Sequence, residues 1–145
     1  MIPEPRGRIF QDDHFTVSDF AGTRLTGLVL WQDCDNGHAI MVFIQVDRRP
    51  WQRFFLGAGI GFWEDWGEIE PGLIDPDDEP DDAFLQIDKL EEFGVSDAAI
   101  RRIFCEPCGN NARIVIEFGD GAQVILQPTD PATFDSHSEL VMLRP

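Results

Sequence analysis

Two runs of β-branched and apolar residues, 23–31 and 38–46, flank the segment Asp33-Cys34-Asp35-Asn36-Gly37, and this pairing constrains the fold more than any other feature of the chain. Asn-Gly tolerates the positive φ values that tight turns need, so the runs predict an antiparallel hairpin. A second hairpin is predicted further on. Over residues 112–118, Arg113, Val115 and Glu117 alternate with Ile114, Ile116 and Phe118, Gly119-Asp120-Gly121 turns the chain, and residues 122–127 return until Pro128 ends the ladder. Large aliphatics are dense on one face of both hairpins, so one side of the sheet is core.

Weaker strand signals lie at Phe15, Val17 and Phe20, at residues 51–56 and at residues 140–143. Residues 84–88 read as an edge strand followed by a helical turn, because Phe84, Ile87, Leu90 and Phe93 recur every three residues. A short helix is expected over residues 95–104: Ser96 is a good N-cap, Asp97 sits in the first turn, Val95 can staple onto Ile100, and Arg101 and Arg102 lie near the end. Pro107 and Gly109 would stop it. The expected architecture is therefore α+β: a single domain over residues 1–145, mainly a twisted antiparallel sheet with one or two short helices packed on it.

Eleven Lys and Arg face 27 Asp and Glu, a formal charge of −16. A surface so acidic is repelled by phosphate backbones and anionic headgroups, which argues against nucleic-acid and membrane-surface partners. The core is nonetheless affordable, with 43% hydrophobic residues including twelve Phe and four Trp in 145 positions. The N-terminus has no basic start or apolar stretch of the secretory kind, and three cysteines are an odd number for a disulfide framework. A cytoplasmic protein with reduced thiols is the expectation. Residues 75–82 hold six acids and two prolines, and are expected to form an exposed acidic loop.

No motif names a reaction, and no cofactor is expected. Cys34 and His38, with Cys105 and Cys108 of a C-x-x-C, are a candidate tetrahedral zinc set, with unconnected small thiols the preferred reading. Redox use of the C-x-x-C is weaker still, because the pair would follow a helix C-terminus, where the dipole has the wrong sign. Residues 57–61, Gly-Ala-Gly-Ile-Gly, lack both the G-x-G-x-x-G spacing and a following cation, so the glycines are expected to serve geometry. His14 and His137 have acids nearby but no nucleophile elbow, and read as surface histidines. The acidic run lacks the central glycine and terminal glutamate of an EF-hand. An enzyme is thus disfavoured.

Residues 62–68, Phe-Trp-Glu-Asp-Trp-Gly-Glu, alternate tryptophans with acids. Trp is enriched at interfaces, and acids around it would steer a basic partner, although the preferred reading of the two rings is that they cap the core. The leading functional expectation is a small acidic protein-binding module, of the kind bacteria use as inhibitor or immunity proteins, that neutralises a basic protein partner. Its contact residues would be Trp63, Glu64, Asp65, Trp66 and Glu68 together with Asp77, Asp78, Glu79, Asp81 and Asp82. The likeness to such proteins is one of composition alone. Two alternatives come from other classes: a small-ligand binder or enzyme with an apolar pocket between sheet and helix, lined by Trp51, Phe54, Phe55 and Phe62, and a structural homodimer formed through sheet edges or the aromatic segment.

Overall fold

A computed structural model describes residues 8–67 and 84–145, the side chains of Arg8 and Phe84 excepted. The expected acidic loop at 75–82 lies outside the described residues. Eleven strands run in chain order: β1 (Arg8–Asp12), β2 (Phe15–Thr16), β3 (Leu25–Asp33), β4 (Ala39–Val46), β5 (Trp51–Gly57), β6 (Ile60–Gly67), β7 (Phe84–Asp88), β8 (Ile100–Cys108), β9 (Asn111–Phe118), β10 (Gln123–Pro128) and β11 (Ser138–Leu143). A single 3-10 turn, Ser18–Phe20, follows β2.

Every pairing is antiparallel, and the strands lie in the order β1-β6-β5-β4-β11-β10-β9-β8-β2, with β3 and β7 branching from β4. The ends of that order nearly meet, which makes the sheet an almost closed barrel. On one side the chain itself closes it, passing from β1 to β2 with the Phe10 and Phe15 rings stacked 4.8 Å apart across the step. On the other, β4 holds β5 through Val42–Ile44 and β11 through one pair, Ala39 with Ser138. Near-closure shortens the exposed edges that an open sheet would offer to another chain, although β7, paired with β3 alone among the described residues, keeps one.

The interior follows from the two-residue period of strands. Leu28 and Leu30, Val42 and Ile44, Phe54, Trp63, Ile103, Ile114 and Ile116, Val124 and Leu126 all face one continuous core. The opposite face of β3 to β6 carries a second, smaller cluster. One end of the barrel is shut by residues 129–137. Asn111, buried at the start of β9, donates from Nδ2 to the Pro131 and Thr133 carbonyls at 3.1 and 2.7 Å, and Asp135 accepts from the Ala58 amide at 2.8 Å.

The α+β expectation is overturned. No α-helix exists among the described residues, and residues 100–104 of the expected helix belong to β8, which pairs along its length with β9. The reason is a β-bulge: the register shifts between Ile100 and Arg102, so Ile100 and Ile103 both point inward three residues apart. That spacing imitates a helix face. Asp97 adopts φ +61°, outside the helical region, and turns the chain into the strand. Both predicted hairpins are present as β3–β4 and β9–β10, and the strands expected at 51–56, 84–88 and 140–143 are β5, β7 and β11. The helical turn after β7 is also there, closed by the Phe93 amide on the Lys89 carbonyl at 3.0 Å. The glycines at 57–61 make a two-residue hairpin turn, with Ala58 at φ +52° and Gly59 at φ +80°. No helix among the described residues is long and apolar enough to cross a membrane.

Candidate functional site

The segment singled out for its alternating tryptophans and acids is β6, and strand geometry divides it between two faces. Trp63 is fully buried inside the barrel, its ring parallel to Phe54 at 5.0 Å, and its Nε1 donates to Gln52 Oε1 at 2.9 Å. This corrects its assignment to a contact surface: a side chain with no exposed area cannot meet a partner. Asp65, also on the inward-facing phase, accepts from Gln52 Nε2 at 3.0 Å and lines the open end of the barrel. Glu64 and Trp66 face outward. Glu64 is buried against Arg53 in a 2.5 Å ion pair, and the Arg53 guanidinium sits 4.8 Å above the Trp66 ring. Glu68, Asp77, Asp78, Glu79, Asp81 and Asp82 lie outside the described residues.

Trp66 belongs to the outer cluster. Phe43 of β4 is its centre, with Trp31 of β3 at 5.0 Å and Trp66 edge-on at 5.2 Å, and with Val29, Trp51 and Met41 packed around them. The outer edge of the Trp51 ring packs against Gly27, where any β-carbon would overlap it. Phe43, Trp51 and Val29 are buried, while Trp31, Met41 and Trp66 are half-buried. Sequence reasoning missed this face because its members are spread over four strands. The signal was present as outward-phase aromatics in β3 and β4, on the side that a solvent-facing sheet fills with polar residues.

The pocket expected between sheet and helix is absent, because its four lining residues occupy different surfaces. Phe54 is inside the barrel, Trp51 is in the outer cluster, and Phe55 and Phe62 stack on each other at 4.8 Å on the outer face. Among the described residues, a cavity of about 320 Å3 is instead lined by residues of β1, the 3-10 turn, β5, β6 and the β4–β5 turn.

The zinc candidates are not brought together. Cys105 lies inside the barrel under Gly61, Cys108 is three residues further along the same strand and so projects to the other face, and Cys34 is exposed in the β3–β4 turn. His38 stacks on His137 at 4.2 Å. Burial pushes the Cys105 thiol up to about 12, with Asp13 and Asp12 adding to the effect. Ellman's reagent at pH 8 is accordingly expected to label Cys34 in the native protein and to reach Cys105 only on unfolding. Rapid native labelling at Cys105, read by mass spectrometry, would show that the barrel opens beside Gly61.

The cluster whose ligand atoms do converge among the described residues is Asp12, Asp13 and His14, at the exposed step from β1 to β2. His14 Nδ1 lies 2.8 Å from Asp13 Oδ1, and this contact, reinforced by the Asp12 charge, raises the imidazole above its ordinary value while lowering Asp13. The charged histidine is therefore favoured by folding. That contribution is present below the ordinary imidazole range and is lost as pH rises through the elevated value. An NMR titration of His14 is expected to show the raised midpoint, and Asp13→Asn to return it towards the ordinary value. An unchanged midpoint in that variant would refute the pairing.

Compared with known protein families, characterised proteins and solved structures, the chain shows no match. Its function is read from its own surfaces.

Proposed function

We propose that the protein is an acidic protein-binding module of the inhibitor or immunity type, which neutralises a cationic protein by presenting the outer aromatic face within a strongly negative field. One observation carries this reading. The face formed by Trp31, Met41, Phe43 and Trp66 lies between the two points where residues 68–83 leave and rejoin the sheet, Gly67 opposite Trp51 and Phe84 opposite Asp33. Those sixteen residues include eight acids and no base, half of the net charge of −16. Long-range attraction would raise the rate of encounter with a basic partner, and half-buried aromatic rings would supply the short-range anchor.

The test uses two synthetic peptides of equal positive charge, lysines interspersed with tryptophan or with serine, titrated against the full chain by calorimetry. At low salt the tryptophan peptide is expected to bind at least tenfold tighter, with both affinities falling steeply as salt screens the charges. Trp66→Ala should remove the difference between the peptides. Converting Asp77, Asp78, Asp81 and Asp82 to Asn should weaken both. Absence of binding to either peptide at low salt, or binding indifferent to both sets of substitutions, would overturn the proposal.

A further inference from the structure

Beside the start of β3, two charged residues hold left-handed backbone that usually falls to glycine. Arg48, at φ +58°, lies in the β4–β5 turn, which the Arg49 amide closes on the Val46 carbonyl at 2.8 Å, and Asp97, at φ +61°, lies in the loop before β8. With Asp47 at φ +49°, the turn has the two consecutive positive φ values of type I′, and the second of these positions favours glycine. Both backbones are pinned to β3 and the residue before it. The Asp47 amide donates to the Arg24 carbonyl and the Arg24 amide to Asp47 Oδ1, each at 2.9 Å, and the Arg48 amide donates to Thr26 Oγ1 at 3.1 Å. The Asp97 amide donates to the Leu25 carbonyl at 2.9 Å, and the Asp97 carbonyl accepts from Arg24 Nη1 at 2.8 Å. Disfavoured backbone over-determined in this way is a feature of ligand clamps.

The two side chains line one cavity of about 360 Å3 together with Thr26, Gln45 and Ser96. That volume suits a small ligand, and a lining without a wholly apolar side chain requires a polar one. Arg48, Ser96 and Asp97 are exposed and Thr26 and Gln45 half-buried, so the polar heads are within reach of solvent. Arg48 and Asp97 carry opposite charges yet form no ion pair with each other. Every other described basic side chain meets a carboxylate or a carbonyl oxygen, whereas among the described residues the Arg48 guanidinium meets neither. With 27 acids to 11 bases in the chain, that is no shortage of acids. A lone anion would suit Arg48 but is repelled by the field of a molecule of charge −16, and a lone cation would leave the guanidinium unmatched. A zwitterion answers both groups. The guanidinium fork fits a carboxylate, Asp97 accepts from an ammonium, and Ser96 and Gln45 add neutral hydrogen bonds.

We propose that this cavity binds a free α-amino acid with a small polar side chain, its carboxylate held by Arg48 and its ammonium by Asp97. None of the lining residues belongs to the outer aromatic cluster, so the site does not depend on the role proposed for that face. L-Serine is the probe. Ethanolamine, which lacks the carboxylate, and 3-hydroxypropanoate, which lacks the ammonium, are its controls. Chemical-shift mapping on the full chain is expected to show saturable serine binding with a Kd of about 1–10 mM, a scale set by the modest affinity of ligands this small, with shifts at Arg48, Ser96 and Asp97. Each control should bind about fivefold weaker or more, the loss of one charge-assisted hydrogen bond at an accessible rim. Arg48→Gly separates the ligand from the fold. Glycine suits φ +58°, so this variant should unfold at a urea concentration no lower than the parent's while its serine affinity falls about fivefold or more. Asp97→Asn keeps a residue that tolerates left-handed backbone, removes the charge and should weaken serine by about the same factor. No saturable shift up to about 100 mM serine, well above the range expected of so small a ligand, equal binding of either control, or unaltered serine binding by the folded variants would each overturn the assignment.

Discussion

Replacing Trp63 by alanine is expected to cost about 3–5 kcal/mol of stability, the range for truncating a fully buried large aromatic. The ring has no exposed area, lies parallel to Phe54 and touches the Phe20 ring from the opposite side of the interior. Its removal therefore takes away both transfer free energy and the contacts that hold the 3-10 turn against β5 and β6. A polar penalty comes with it, because Gln52 Oε1 loses the indole donor in a buried setting. Trp63→Phe separates the two contributions. It keeps the stack and loses the donor, so about 1–3 kcal/mol is expected from that variant, the scale of a buried acceptor left without a partner together with a small loss of packing. Urea denaturation with the slope held in common measures both. An alanine variant within about 1 kcal/mol of the parent would mean that the ring is solvent-facing, as a surface substitution gives no more.

The β3–β4 and β9–β10 hairpins were legible because two local signals coincide in each, a turn sequence and a two-residue alternation next to it. Where one signal is corrupted, the reading fails. In β8 the bulge beside Arg102 brings Ile100 and Ile103 to the same face, and the capping residues Ser96 and Asp97 complete the imitation of a helix, although only pairing with β9 decides the outcome. In β6 the difficulty is composition. Gly61, Trp63 and Asp65 share the inward phase, and Phe62, Glu64 and Trp66 the outward one, so neither face reads as apolar or polar from the sequence. The Trp and acid content of that strand did mark it as unusual. What could not be read was that one tryptophan serves the core and the other the outer face, a distinction that depends on strand phase alone. The barrel itself was illegible for a simpler reason: its closure rests on the step from β1 to β2 and on the Ala39–Ser138 pair, contacts between residues with no local signature.

Phe43→Ala is expected to be as damaging as the loss of Trp63, about 3–5 kcal/mol, although Phe43 lies on the outer side of the sheet. Strands of a barrel that face water on the outside normally tolerate truncation there, and an outward phenylalanine with no exposed area does not fit that pattern. The residue is the shared neighbour of Trp31 and Trp66, and it sits beside Trp51, which occupies the space left by Gly27. Removing it leaves a cavity that three indoles border and that cannot collapse without shifting β3 or β6. Near-UV circular dichroism should lose tryptophan signal along with the stability. Phe43→Leu retains most of the volume and is expected to cost less than about 2 kcal/mol, with the fold intact. That contrast bears on function as well as stability. The leucine variant keeps a folded barrel while loosening the platform on which Trp31 and Trp66 rest, so reduced binding of the tryptophan-lysine peptide in this variant, with the serine-lysine peptide unaffected, would place the rigid aromatic face in the contact. Equal binding of the two peptides by parent and variant would confine Phe43 to a structural role.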